Sequence, residues 1–450
     1  MKRKVLLINP PFYRLMKSHF NGLSLGLGYI AAVLSKNGHE VKIYNADYES
    51  SENYADQREI FESYDNYKKI LSNLNHPLWL EVRENIERFF PDIIGITMLT
   101  GTYRSTENVS RIAKELDKHI EILVGGTHPT VLPEETIKSE YFNYVVRGEG
   151  EYTFLDLVNG VKIENIPGLT YINERERIVN NPDREFVEDL DSLPFPSRNI
   201  YLNDTRYMDY GYIMTGRGCP FECTFCASKK VWKGHVRFRS PENVVEEVKH
   251  VHDKYGTKLF YFVDDTFTLN KKRIKKICEL LVESDLVDVS WICDTRVDTI
   301  DEELLRLMKE SGCVRVKIGV ESGSERILKM AKKKITKKQV RDCVSLIKKV
   351  GIDLTIYLMI GFPTETKEEM QETLDFAREL DSTYYSLSIL APYPGTEIYD
   401  DIIRSGVKLP KEHWEYFFHQ SKDMILTDDI DETLIDECLS LNEINNKVRI

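Results

Sequence analysis

Short apolar runs alternate with helical patterns in two separate stretches of the chain, and no other feature restricts its fold as much. In the first stretch the runs are "KVLLINP", "EVKIYNAD", "DIIGITMLTG", "EILVGGTHP" and "YVVRGEG". The sequence between them is helical in pattern, as in "LGLGYIAAVLSKNG", which Gly38 stops, apart from a polar, Tyr-rich insertion at 50–76. Crossovers of that length make neighbouring strands parallel, and a parallel sheet must be covered on both faces. Ligands of such sheets sit beyond the carboxyl ends of the strands. The Gly- and Thr-rich "TMLTGT" and "VGGTHP" occupy that place.

A second alternation starts at Tyr210 with "YGYIMTG", "KLFYFVDD", "VSWICDTRVD", "VRVKIGVES", "DLTIYLMIGFP" and "YYSLSILAPYPG". Its first helix has Ser240 as cap and Pro241 in the first turn, and Val244, Val248 and Val251 fall on one face. Gly256, Gly312 and Gly351 fit the position just past a helix end. Six βα units fall short of a closed eight-stranded barrel, so a partial (β/α)6 TIM-type barrel is expected, with its chemistry on the loops after the strands. Between the two stretches, "PGLTYINERERIVNN" reads as a small hairpin and "LDSLPFPSRN" as Pro-punctuated linker. The chain of 450 residues is too long for one ordinary core. It divides into an α/β, Rossmann-like sheet domain (1–160), a linker (161–205), the barrel (206–395) and a helical, acidic C-terminal region (396–450) to which no chemistry is assigned.

The loop after the first barrel strand reads "RGCPFECTFCASKK" and places Cys219, Cys223 and Cys226 in the spacing C-x3-C-x2-C. The other cysteines are scattered singly at 278, 293, 313, 343 and 438, as reduced core thiols would be. A structural zinc site wants four ligands, and His235 is the one candidate for a fourth, at a spacing that matches no zinc finger or ribbon. Three thiolates instead suit three irons of a [4Fe–4S] cluster, with the fourth iron left for another ligand. A net charge of −12 argues against a nucleic-acid partner. No apolar run approaches the ~18 residues that span a membrane, and the opening "MKRKVLLINPPF" has no signal-peptide pattern. A cytoplasmic protein is expected.

The cysteine motif inside a six-unit barrel resembles the radical S-adenosylmethionine (SAM) superfamily over roughly residues 206–395. The resemblance implies that the open iron binds the amino and carboxylate groups of SAM, and that Phe225 borders the adenine. It implies that Asp264 and Asp265 face the SAM amino group, that Arg296 pairs with its carboxylate, and that Glu321 and Ser322 meet the ribose. Of the family's adenine pattern G-x-I-x-G-x-x-E, "YLMIGFPT" keeps Gly361, while Tyr357 replaces the first glycine and Thr364 the acid. The first 160 residues resemble the cobalamin-binding domain that precedes this barrel in one large subfamily, through "NPPF", "GLGYIAAVL", "TMLTGT", "GGTHPT" and "VVRGEGE". This implies a flavodoxin-like sheet in which Thr97, Thr100 and Gly101 meet the nucleotide tail. Gly125, Gly126, His128 and Pro129 would let it pass closely, and Gly148 and Glu149 belong to the last matching piece. Cobalamin proteins that ligate cobalt through histidine carry Asp-x-His-x-x-Gly after the first strand. Here "KSHFNG" has Lys17 for the aspartate while keeping His19 and Gly22. No protein ligand to cobalt is therefore expected from His19.

The activity implied is that of a radical SAM C-methyltransferase, acting on an unactivated carbon of a small molecule or of a peptide or protein side chain. By the resemblance, one SAM methylates the reduced corrinoid to methylcobalamin. A second SAM, cleaved at the cluster, gives a 5′-deoxyadenosyl radical that takes a substrate hydrogen atom. An external electron donor such as flavodoxin or ferredoxin is implied, and no essential general base. The alternative keeps the cofactors for a non-methylating radical rearrangement or cyclisation. The RNA-methylthiolating branch would bring an N-terminal cysteine cluster and a basic C-terminal module, neither of which occurs here. A cobalamin sensor on an inactive barrel would not need the intact cysteine triplet. The aromatic "HWEYFFHQ" (413–420) is expected to pack into a core rather than to line a substrate entrance.

Overall fold

In the computed structural model, residues 2–443 are described except Val287, Gln420 and Asp428. The five predicted strands of the first stretch are β1 (Lys4–Asn9), β2 (Glu40–Asn45), β3 (Ile93–Thr97), β4 (Glu121–Gly125) and β5 (Tyr144–Val146). They pair in parallel in the order β2-β1-β3-β4-β5, the flavodoxin-like arrangement. Both faces are covered. Leu6, Ile8, Ile94, Ile96 and Val124 meet one helical layer, with Trp79 and Val82. Val5, Leu7, Ile93 and Leu123 meet the other, with Leu27, Ala31 and Phe154. That split is the period-two side-chain alternation of a strand. The predicted hairpin, β6 (Leu169–Ile172) and β7 (Ile178–Asn180), extends this sheet antiparallel beyond β5. The Pro-punctuated segment after it lies along the same domain, where Ile43 donates to the Ile200 carbonyl at 3.0 Å and Ser197 to that of Gly28 at 2.9 Å.

The second stretch opens with β8 (Tyr212–Ile213), which continues into a small ribbon of β9 (Gly216–Arg217) paired antiparallel with β10 (Arg237–Phe238). The ribbon closes the base of the loop that carries the three cysteines. The barrel continues through β11 (Leu259–Phe262), β12 (Ser290–Thr295), β13 (Cys313–Glu321), β14 (Asp353–Ile360) and β15 (Tyr384–Ile389). Its six strands are all parallel and lie in sequence order, with β8 and β15 as free edges, so the barrel is partial. The predicted cap is present: the Ser240 side chain accepts from the backbone of Asn243, and Gly256 ends the helix Pro241–Tyr255 with φ 68°. Trp291, Phe260 and Phe262 are fully buried under the surrounding helices, and Cys278, Cys293, Cys313, Cys343 and Cys438 are buried free thiols.

The C-terminal region serves both domains. Leu434, Cys438 and Leu441, on the helix Glu432–Glu443, complete the barrel core. Further upstream, Phe418 packs edge-on against Phe12 at 5.2 Å, and Trp414 against His128 at 5.2 Å. The aromatic segment is thus partly core, Phe418 in that of the first domain and Trp414 and Phe417 in a cluster with Tyr399 and Met424, but Phe417 and Phe418 also line a recess, which the expectation of core packing alone did not include.

Candidate active site

Cys219, Cys223 and Cys226 line a single cavity of about 330 Å³ at the carboxyl ends of the barrel strands. The ribbon beneath the loop fixes it, and Gly218 (φ 97°) makes the turn: a Cβ there would lie 2.0 Å from the His235 carbonyl. Donors surround the sulfurs. The backbone N–H of Ser228 donates to Cys226 Sγ at 3.4 Å, Arg296 Nη1 lies 3.9 Å from Cys223 Sγ, and Thr266 Oγ1 lies 3.9 Å from Cys219 Sγ. Hydrogen bonds of this kind stabilise sulfur that carries negative charge. Among the described residues no three His, Cys, Asp or Glu side chains converge on a point that would hold a single metal ion. His235 instead turns to Glu188, at 3.4 Å. Three thiols around one cavity, with His235 turned away, suit a multi-iron cluster, each iron taking one thiolate, better than a four-ligand zinc site.

The same cavity is lined by Phe225, Asp264, Asp265, Arg296 and Glu321. Their partners define what each can offer. Asp264 accepts from the Thr215 backbone N–H at 2.6 Å; burial pushes its carboxyl up, against the pull of Arg273. Asp265 accepts from Ser228 Oγ at 2.8 Å. Arg296 is held by Asp298 at 3.0 Å, donates to the Lys333 carbonyl at 2.8 Å and lies 3.6 Å over the Phe221 ring. Glu321 pairs with Lys333 at 2.7 Å. Ser322 is not brought in: its hydroxyl bonds Thr373 and the Ser324 backbone, both at 3.1 Å. Gly361 (φ 85°) begins a turn whose N–H groups, Gly361 at 2.7 Å and Phe362 at 2.9 Å, both donate to Glu365. Glu365 is therefore the acid that the motif reading missed, one residue beyond Thr364. Burial pushes its carboxyl up to about 7.

At the edge of the first sheet, Thr97, Gly125, Gly126, Gly148 and Glu149 line a cavity of about 260 Å³ with Tyr29 and Arg217. Thr100 and Gly101 line a second cavity, of about 490 Å³, with Phe12, Tyr13, Phe417 and Phe418. Gly126 (φ 115°) is forced by the fold itself, since a Cβ would lie 2.6 Å from the Met98 carbonyl. Gly148 (φ 70°) has open space around it. Two glycine-containing, largely apolar cavities at one sheet edge suit the ring and tail of a bulky ligand, so the residues present fit cobalamin. His128 and Pro129 are buried, and the His128 imidazole is used internally, with Nδ1 3.2 Å from Thr100 Oγ1. His19 stacks on Tyr54 at 4.1 Å, with Glu49 4.0 Å away, and lines neither cavity.

Glu149 borders the smaller recess, but its carboxylate is bound by the second domain. Arg217, two residues before Cys219, bridges Glu149 and Glu151 (2.6 Å), while Arg237 reaches Glu149 at 3.0 Å. Burial raises the Glu149 carboxyl, yet Arg217 and Arg237 outweigh it and hold the group below the usual carboxylate range. The base of the cysteine loop is thereby bolted to the edge of the first sheet. Phe225 is the residue the two larger sites share: it lines both the cysteine cavity and the 490 Å³ recess.

Comparison with known proteins agrees with this architecture. The B12 binding domain family matches residues 15–158 and the Radical SAM superfamily residues 213–377. An uncharacterized methyltransferase of Pyrococcus horikoshii, PH0819, is 36% identical over 427 residues, covering 92% of this chain and 86% of that protein. Anaerobic magnesium-protoporphyrin IX monomethyl ester cyclase of Rubrivivax gelatinosus is 30% identical over 341 residues, 72% of this chain and 60% of the cyclase. The radical SAM methyltransferase TsrM of Kitasatospora setae, solved with cobalamin and a [4Fe-4S] cluster bound, superposes with a TM-score of 0.70 at 20% identity, over 91% of this chain and 80% of that one. No helix among the described residues is long and apolar enough to cross a membrane. The chain belongs to the cobalamin-dependent radical SAM enzymes, in their methyltransferase subgroup, with a [4Fe–4S] cluster, SAM and cobalamin as its cofactors.

Proposed function

We propose that this enzyme methylates an unactivated carbon of a small molecule or of a peptide or protein side chain, with substrate between the two domains. The observation that carries the reading is the shared wall: Phe225 borders the cavity of the three cysteines and the apolar recess at the edge of the first sheet. When bound, the cluster and SAM supply hydrogen-atom abstraction and cobalamin supplies methyl transfer. The protein's own part is to hold, orient and exclude water. Cys219, Cys223 and Cys226 would hold the cluster, and Asp265 and Glu321 face the SAM cavity. Thr97, Thr100, Gly101, Gly125, Gly126 and Gly148 would bound the corrinoid, and Phe12, Phe417 and Phe418 keep the recess dry. A carbon–hydrogen bond broken by atom transfer needs no protein base, so the acids here serve binding. The reducing electron would come from an external donor such as flavodoxin or ferredoxin in the cytoplasm.

Anaerobically reconstituted enzyme supplied with reductant and a candidate substrate is expected to release S-adenosylhomocysteine and 5′-deoxyadenosine in near-equal amounts. Methylated product from a Cys219→Ala, Cys223→Ala, Cys226→Ala variant would refute the radical assignment. The likeness to the cyclase favours one second reading, a rearrangement or cyclisation, for which 5′-deoxyadenosine would appear without S-adenosylhomocysteine.

A further inference from the structure

The 490 Å³ recess is walled by aromatic rings around a single acid. Its phenylalanines are Phe12, Phe20, Phe225, Phe417 and Phe418, joined by Tyr13 and Tyr393. No lysine or arginine lines it, and the one carboxylate is that of Asp47, two residues past β2 and only 3% exposed. His419 also borders the recess, but burial holds its imidazole down at about 4, so it carries no charge near neutral pH. Backbone groups fix the carboxylate: Asp47 Oδ1 accepts from the N–H of Phe12 at 2.8 Å and of Arg14 at 2.9 Å. Among the described residues no side chain donates to Asp47 and no cation pairs with it. Arg14, whose charge does reach it, is held by Glu81 at 2.8 Å. Other polar side chains of the recess are committed. Thr100 meets His128 at 3.2 Å, Thr102 donates to the Leu99 carbonyl at 3.1 Å, and Asn9 donates to Asn45 at 2.9 Å.

An anion set among rings with no cation beside it costs free energy, and burial pushes the Asp47 carboxyl up to about 6. Holding the loop after β1 does not require that charge. An asparagine oxygen would accept the same two N–H groups, so the charge exceeds what the loop needs. An incoming ammonium uses it twice: the N–H groups donate to the carboxylate, and the cation is attracted by the ring faces around it.

We propose that the substrate of this enzyme is a protonated amine with an apolar body, its ammonium bound by Asp47 beside Phe12, Tyr13 and Phe20 and its body extending toward the Phe225 wall. The proposal rests on the function proposed above in taking this recess as the substrate's place. The test is equilibrium dialysis at neutral pH of protein loaded with cluster, SAM and cobalamin, wild type and Asp47→Asn, matched in iron content and circular dichroism. The probes are naphthylethylamine, naphthylethanol and naphthylacetate, which share a ring system and differ in charge. Wild type is expected to bind the amine at least tenfold more tightly than the alcohol, and the acetate most weakly. Asp47→Asn is expected to bind amine and alcohol alike, with cobalamin affinity unchanged. Wild type without a preference for the amine, or a preference that survives in Asp47→Asn, overturns the proposal. So does a fall in cobalamin affinity with the amine order kept, which would assign Asp47 to an amide of the corrinoid. Should the variant not load its cofactors, the wild type decides alone. Its preference is expected to weaken below about pH 6, where Tyr13, Arg14 and His419 keep their charge states, and a constant preference down to about pH 5 overturns the proposal. Binding is read without turnover, so the methyltransferase reading stands or falls separately, on the product ratio.

Discussion

The two sheets end in the same place, a carboxyl edge with loops, yet the edges are furnished in opposite ways. Glycine and apolar residues dominate the recesses at the first, Gly125 and Gly148 with Tyr29 and Phe154 in one and Gly101 with Phe12, Phe417 and Phe418 in the other. Cysteines, four acids and three cations fill the second: Asp264, Asp265, Asp294 and Glu321 with Arg296, Lys317 and Lys333. On the reading proposed above, the first edge would select by leaving room for a large ring, where an absent Cβ matters more than any charge. The second must hold a small, charged molecule in one pose beside a redox centre, which takes directional groups in a water-poor cleft. One strand–helix architecture thus supports two kinds of recognition, because the loops carry function and the strands only aim it.

The strongest way to break this comparison is to cut the joint between the edges. Arg217 is buried between Glu149 and Glu151, with the Tyr29 ring 5.3 Å from its guanidinium. Removing one partner of a buried ion pair strands the other charge, at a cost of about 3–5 kcal/mol. Arg217→Met is expected to lower the urea unfolding free energy by that order and to reduce iron incorporation, because the residue lies two before Cys219. In a Glu149→Gln, Glu151→Gln background the same change should cost far less. Equal losses in both backgrounds would show that the joint is packing rather than charge.

Next in size is the steric device of the first edge. Gly126→Ala would set a Cβ 2.6 Å from the Met98 carbonyl at φ 115°, a conformation that L side chains rarely adopt. The backbone must shift, at a cost of about 1–3 kcal/mol. Since Gly126 joins β4 to the recess, cobalamin affinity is expected to fall at least tenfold while SAM affinity is unchanged. Parallel titrations of the two cofactors measure this. Loss of both would mean that the edges are not independent.

How far the sequence foretold this arrangement follows from what each inference rested on. Alternation located all eleven predicted strands, because a buried parallel strand needs a continuous apolar run whatever its neighbours are. The cysteine loop was legible because its spacing is local. Ser322 and Glu365 were not. Neighbours on a strand face opposite ways, and at Glu321, with φ 70° and a slip in the β13–β14 register, the chain leaves the strand with Ser322 turned to Thr373 instead of the cavity. Thr364, with φ 65°, lengthens the turn by one residue and brings Glu365 back to the Gly361 N–H. A motif counts residues, whereas a turn sets directions. Phe417 and Phe418 lie far along the chain from the recess they line, and no local pattern could assign them. Glu149 matched a motif piece, but its partners belong to the other domain.

A titration sharpens the second edge. Glu365 is buried and its carboxyl is raised to about 7, chiefly by burial, even though two backbone N–H groups favour its charged form. A group whose folded pKa lies above its unfolded value binds protons more tightly in the folded state. Its contribution is full below the ordinary carboxylate range and is lost as the pH rises through 7. Glu365→Gln keeps an acceptor for Gly361 and Phe362 without titrating. Between about pH 5 and about pH 8 the wild type should therefore lose on the order of 2 kcal/mol more stability than the variant. Parallel profiles would place the carboxyl's pKa in its ordinary range.

The smallest effect expected is none, and it tests whether the first edge needs a protein ligand at all. His19 is the one histidine at a motif-like spacing after β1, yet Lys17 stands where an orienting aspartate would be. Its ring is buried against Tyr54, with Glu49 nearby, away from both recesses. For imidazole to reach cobalt, that stack and the loop bearing it would have to come apart. His19→Gln is therefore expected to leave the visible spectrum of bound cobalamin unchanged across pH 5 to 9, with affinity within about twofold, since the ring lines neither recess. A spectral shift in the variant, or its reversal by added imidazole, would mean that the first edge also selects through a directional bond, and its contrast with the second would narrow to one of degree.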